Sequence, residues 1–91
     1  MGTLDGKVAV VLGASAPRGT GWAKAETLSA QGAKVVVGAR SLEPLKLLAD
    51  KIGGIAVRCD VSKEDDVVDI AKAALKSYGR LDIAVNAAGV A

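Results

Sequence analysis

The chain has 91 residues, a formal charge of +2 and no histidine. That length allows one small domain, and the near-balanced charge excludes nucleic-acid or polyanion binding as a main task. Without histidine there are no His metal ligands and no His general base, and the single cysteine, Cys59, cannot form an internal disulfide.

The apolar residues are Val, Ala, Leu and Ile, with no Phe, one Trp and one Tyr. This is the palette of parallel strands covered by helices. The opening, Met1 to Gly6, has no charged lead and no long apolar run. It gives no secretory signal and no membrane span, so the expected compartment is the cytoplasm.

Lys7 to Leu12 reads as a first strand, apolar on both faces and therefore central. A glycine-containing loop follows, and a helix is expected over Thr20–Gln31. Its thin stripe of Gly21, Ala25, Leu28 and Gly32 lets it lie close on the sheet, and Gly32 is its expected stop. Ala33 to Gly38, centred on three valines, is a second buried strand. Ser41 is the expected N-cap of the next helix, with Pro44 tolerated in its first turn. Leu45, Leu48, Ala49 and Ile52 line one face of that helix, and Gly53-Gly54 ends it.

Ile55 to Cys59 reads as a third strand, with Cys59 a small buried hydrophobe. Ser62 and Asp65 have the spacing of a capping box. They open a helix whose expected apolar face is Val67, Ala71, Ala74, Leu75 and Tyr78, closed by Gly79. Leu81 to Ala87 is a fourth strand. Alternating strands and helices imply right-handed crossovers. The expected fold is α/β, a truncated Rossmann-like doubly wound parallel sheet with four strands in the order 3-2-1-4 and three helices.

The chemistry concentrates in the loop after the first strand. Gly13, Gly19 and Gly21 let backbone approach a ligand, and the following helix directs its unpaired N–H groups and positive dipole end at the same place. Phosphate is the natural ligand, so Gly13, Ser15, Arg18, Gly19, Thr20 and Gly21 are candidate cofactor contacts. In such folds a carboxylate about twenty positions further on binds the adenosine ribose. Here that place holds Ala39-Arg40. A guanidinium cannot accept from ribose hydroxyls but can grip a 2′-phosphate, and Arg18 offers a second positive group. NADP is therefore expected over NAD.

With these marks the chain resembles the N-terminal, cofactor-binding part of a short-chain dehydrogenase/reductase. The resemblance rests on Leu4-Asp-Gly-Lys-Val8 leading into the glycine loop, on Cys59-Asp-Val61, and on Tyr78-Gly-Arg-Leu-Asp-Ile83 leading to Asn86-Ala-Ala-Gly89. It implies adenine contacts from Asp60 and Val61. It also implies that the turn Asn86, Ala87, Ala88 and Gly89 lines the adenosine side while bracing the sheet. The sequence departs from the family pattern in three places: Leu12 replaces a Thr, five residues rather than three separate Gly13 from Gly19, and Ala87 replaces an Asn. The longer loop is similar to that of the divergent enoyl reductases of fatty-acid synthesis.

The family's chemistry uses a Ser and a Tyr with a Lys four residues on, all beyond the Asn-Ala-Gly turn. The only tyrosine, Tyr78, precedes that turn and has Asp82 four residues on. No catalytic residue and no metal ligand is therefore assigned, and the chain alone is expected to be inactive. Residues 1–91 are read as one incomplete NAD(P)-binding segment of an oxidoreductase. The alternatives are a non-catalytic dinucleotide-binding module, a sheet-edge interaction protein, and a piece of an enoyl-reductase-like member. The expected partner is the dinucleotide. The open fourth strand adds self-association, or pairing with a full-length relative, and an isolated chain that does neither is expected to stay partly folded.

Overall fold

A computed structural model describes residues 3–13, 20–60 and 62–86. In chain order the elements are β1 (Val8–Leu12), α1 (Thr20–Ala30), β2 (Lys34–Ala39), α2 (Leu42–Ile52), β3 (Ile55–Arg58), α3 (Glu64–Tyr78) and β4 (Ile83–Asn86). The four strands form one parallel sheet in the order β3-β2-β1-β4. This is the expected order, with strand and helix ends moved by a residue or two.

The sheet is covered as right-handed crossovers require. On one face α1 and α2 bury Val11, Val35, Val37 and Ala39 against Trp22, Ala25, Leu45, Leu48 and Ala49. On the other, α3 packs Ile70 and Ala74 over Val8, Val10, Leu12, Val36 and Cys59. The side chains alternate between these faces because successive strand residues point to opposite sides.

Two close approaches set the layers. Ala25 is fully buried, and its small side chain lets α1 lie near β1 and β2. At Gly38 a Cβ would collide with Ile70 Cδ1 and crowd Cys59 and Leu12, so a glycine is what allows α3 to reach β2. The expected helix stops Gly53 and Gly79 are C-caps in left-handed conformation.

Ser41 occupies the expected N-cap of α2 in extended backbone, although its side chain makes no capping hydrogen bond. Two local expectations are corrected. The capping box at Ser62–Asp65 does not form. The N-cap of α3 is Lys63, and the Ser62 hydroxyl instead donates to Asp60 Oδ1 at 2.6 Å. The buried face of α3 carries Ile70, which the expected stripe omitted, whereas Leu75 is 49% exposed.

At β4 the covering thins. Ile83 and Val85 are half-buried, and Ala84 and Asn86 are exposed. The strand is held at its start by Asp82, whose N–H donates to the Val8 carbonyl and whose Oδ2 accepts the Val8 N–H at 2.9 Å. Arg80 in turn grips both oxygens of Asp82, at 2.9 and 2.8 Å.

Candidate functional site

The sheet order reverses at β1, with β2 on one side and β4 on the other. In open parallel sheets the crevice at the C-terminal ends of such strands is where ligands bind. Four of the sequence-selected residues come together along that edge. Gly13 follows β1, Arg40 follows β2, Asp60 lies two residues beyond β3, and Asn86 is the last residue of β4. Strand register links them, since Leu12 pairs with both Gly38 and Asn86, and Ala39 pairs with Arg58.

Gly13 donates its N–H to the Gly38 carbonyl at 2.7 Å and turns away from the sheet at φ 78. A residue with a Cβ is disfavoured in that conformation. Thr20 and Gly21 open α1, and its first turn contains no acidic residue to compete with an anion for the helix N-terminus. Ser15, Arg18, Gly19, Val61, Ala87, Ala88 and Gly89, also selected from the sequence, lie outside the described residues.

Ala39, where a ribose-binding carboxylate would stand, is buried among the α1 and α2 side chains. Arg40 beside it is exposed and makes no ion pair among the described residues. Asp60 is partly exposed. Its carboxyl is held below its ordinary value of 3.8, first by the Ser62 hydroxyl, then by the Ser62 N–H, with Arg40 and Lys63 adding smaller attractions. The C-terminal edge of the sheet therefore carries the exposed Arg40 just after β2 and the carboxylate of Asp60 just beyond β3.

Sequence reasoning missed how the Asp60 segment is held. Asp66, in the first turn of α3, accepts the Asp60 N–H on Oδ2 at 3.0 Å. It stands in a run of three acids at the helix start, and the sequence does not single out its partner. Cys59 is buried, and burial followed by the nearby Asp66, Asp60 and Asp69 pushes its thiol up, which makes it a packing residue and a poor nucleophile. Tyr78 packs at the edge of the α3 cluster. Among the described residues no group of side chains could hold a metal ion, and no helix is long and apolar enough to cross a membrane.

A left-handed glycine after β1, the start of α1 and an exposed arginine after β2, at the switch point of a parallel sheet in the order 3-2-1-4, define an α/β fold of the Rossmann type. Residues 13–91 match the family model described as enoyl-(acyl carrier protein) reductase. Tropinone reductase-like 1 of Erythroxylum coca is 44% identical over 89 residues, covering 96% of this chain and 32% of that protein. A metagenomic short-chain oxidoreductase solved in complex with NADP is 44% identical with a TM-score of 0.79, covering 96% of this chain and 41% of that one. A short-chain dehydrogenase/reductase from Burkholderia phymatum solved in complex with NAD is 35% identical with a TM-score of 0.83, covering 92% and 31%. The chain belongs to the short-chain dehydrogenase/reductase family, and it spans about a third of the length of the curated relatives it matches.

Proposed function

We propose that residues 1–91 form the NADP(H)-binding segment of a short-chain dehydrogenase/reductase. The intact enzyme transfers a hydride between the nicotinamide and a carbonyl or alcohol substrate. The observation that carries the NADP reading is Arg40, exposed and without an ion pair among the described residues, beside a buried Ala39 where a carboxylate would select NAD. Both cofactor types occur among the structural neighbours, one with NADP and one with NAD, so the choice rests on this chain's own charges.

In this reading Gly13, Ser15, Gly19, Thr20 and Gly21 surround the pyrophosphate at the start of α1. Arg40 and Arg18 hold the 2′-phosphate, Asp60 and Val61 border the adenine, and Asn86 to Gly89 close the adenosine side. The bound dinucleotide supplies the hydride, and none of the 91 residues is assigned to proton transfer. The chain alone is expected to give no cofactor oxidation above background with ketones, aldehydes or enoyl thioesters.

Titration of the purified chain with NADPH and NADH tests the assignment. A charge-assisted contact contributes roughly 1.5–3 kcal/mol, so NADPH should bind at least about tenfold more tightly. Arg40→Ala should remove most of that difference. Equal affinities in the parent chain would overturn the NADP reading, and no binding of either would overturn the function.

The second reading concerns β4, which has no strand on its outer side among the described residues. An uncovered edge is a template for pairing, and we infer that isolated chains associate there, with one another or with a full-length relative. Val85 lines a groove of about 390 Å³ with Ala23, Lys24, Thr27 and Leu28, so a charge at Val85 would also disturb packing against α1. Ala84 is exposed, and Ala84→Lys charges the edge with less damage. Sedimentation over a concentration series should show an oligomer that Ala84→Lys shifts towards monomer. A parent chain that is monomeric throughout would contradict the inference.

A further inference from the structure

The chain leaves the sheet at Cys59, whose N–H donates to the Ala39 carbonyl at 2.9 Å. Past that point β2 has ended, and the next N–H, that of Asp60, has no strand to donate to. Asp66 takes it at 3.0 Å. The Asp60 carbonyl accepts the Lys63 N–H at 2.9 Å. Oδ1 of Asp60 accepts twice from Ser62, from the N–H at 2.9 Å and from the hydroxyl at 2.6 Å. Three of the four polar atoms of Asp60 are thus committed to fixing the residue in place. The fourth, Oδ2, accepts no hydrogen bond among the described residues.

An ionised carboxylate can only accept hydrogen bonds. A residue fixed on three sides offers its remaining oxygen in one direction, and the group that meets it must be a donor. The adenine edge carries such a donor in its exocyclic amino group, whereas hypoxanthine has a carbonyl acceptor there. The anchor for this arrangement is a side chain six residues away on α3, a helix packed on the sheet through Ile70 and Ala74.

We propose that Asp66 is a positioning residue for adenine recognition, holding the Asp60 N–H so that Asp60 Oδ2 meets the amino group of the base. This rests on the cofactor-binding reading above. Loss of Asp66 should weaken recognition of the base without altering the contacts of the phosphates. A purely structural role would weaken every ligand alike.

The test compares NADPH with reduced nicotinamide hypoxanthine dinucleotide phosphate, both titrated against the 91-residue chain. The parent chain should prefer the adenine form by about tenfold or more. In Asp66→Ala the preference should fall to about twofold, mostly through weaker binding of NADPH. Asp66→Asn keeps an oxygen that can accept the N–H and should retain the preference. If Asp66→Ala does not melt cooperatively, the ratio is read on Asp66→Ser, whose hydroxyl is one bond shorter than the carboxylate oxygen, and the same loss is expected. A preference that survives in the variant that folds, with both affinities falling together, overturns the proposal. A parent chain that binds both forms equally also overturns it, yet leaves the cofactor reading intact. Binding of neither form by the parent chain overturns that reading first.

Discussion

β2 and β4 flank the same central strand, yet they are in different states. From Val35 to Ala39 every residue of β2 is buried, with α1 and α2 on one face and α3 on the other. No residue of β4 is fully buried, and no strand lies on its outer side among the described residues. The β3-β2 side carries Arg40 and the braced Asp60, the groups that would meet the adenosine end of a dinucleotide. The β4 side borders an open groove. The β3-β2 side is therefore packed and hydrogen-bonded among the described residues, whereas β4 is left half-covered.

If that contrast is right, substitutions should hurt unequally. Leu45 is fully buried under β2, and Leu45→Ala should cost about 2–5 kcal/mol, enough to leave a domain this small largely unfolded by circular dichroism. Gly38→Ala forces a Cβ against Ile70 and should cost about 1–3 kcal/mol, read from chemical denaturation. Val85→Ala, at a half-buried position beside the groove, should cost less than about 1 kcal/mol. A Val85→Ala loss as large as that of Leu45→Ala would mean that the two sides are equally packed.

Acid should separate the sides as well. The Asp82 carboxyl is held below its ordinary value of 3.8, by the Arg80 side chain first and then by the Val8 N–H. A carboxyl whose value is lowered on folding adds stability that is complete above about pH 4 and disappears as pH falls through the lowered value. Amide protection at Ile83–Asn86 should therefore fall on acidification before protection at Val35–Val37. Asp82→Ala should give the same pattern at neutral pH, with a melting temperature about 5 °C lower. Simultaneous loss across all four strands would show that β4 is not a separate weak point.

The strands were the easiest part to read because runs such as Val35-Val36-Val37 are apolar at every position, as a sheet covered on both faces requires. Strand order followed from the doubly wound pattern of alternating strands and helices with right-handed crossovers. The face of α3 could not be read in the same way. Val67, Val68, Ile70, Ala71, Ala73, Ala74 and Leu75 surround much of that helix, so spacing alone does not choose a stripe. Gly38 chooses it by admitting Ile70, a contact 32 positions distant in sequence. Ser62 was misread for a related reason: a cap needs its oxygen to accept an N–H of the first helical turn, but Lys63 occupies the N-cap, and the Ser62 hydroxyl one residue earlier donates to the Asp60 carboxylate. In the site, Gly13 and Arg40 were selected from their places just after strands, whereas Asp60 and Asn86 entered through the family resemblance. The role of Asp66 was hidden because it depends on where β2 stops.

The most direct test of the contrast separates the two ends of the cofactor. The chain is titrated, with chemical shifts followed, using 2′,5′-ADP and nicotinamide mononucleotide in turn. If the proposed adenosine contacts carry the binding, 2′,5′-ADP should bind within about tenfold of NADPH, perturbing Gly13, Arg40, Asp60 and Asn86, while the mononucleotide gives no saturable shift. Saturable binding of nicotinamide mononucleotide at the β4 side, at an affinity equal to that of 2′,5′-ADP, would contradict the account.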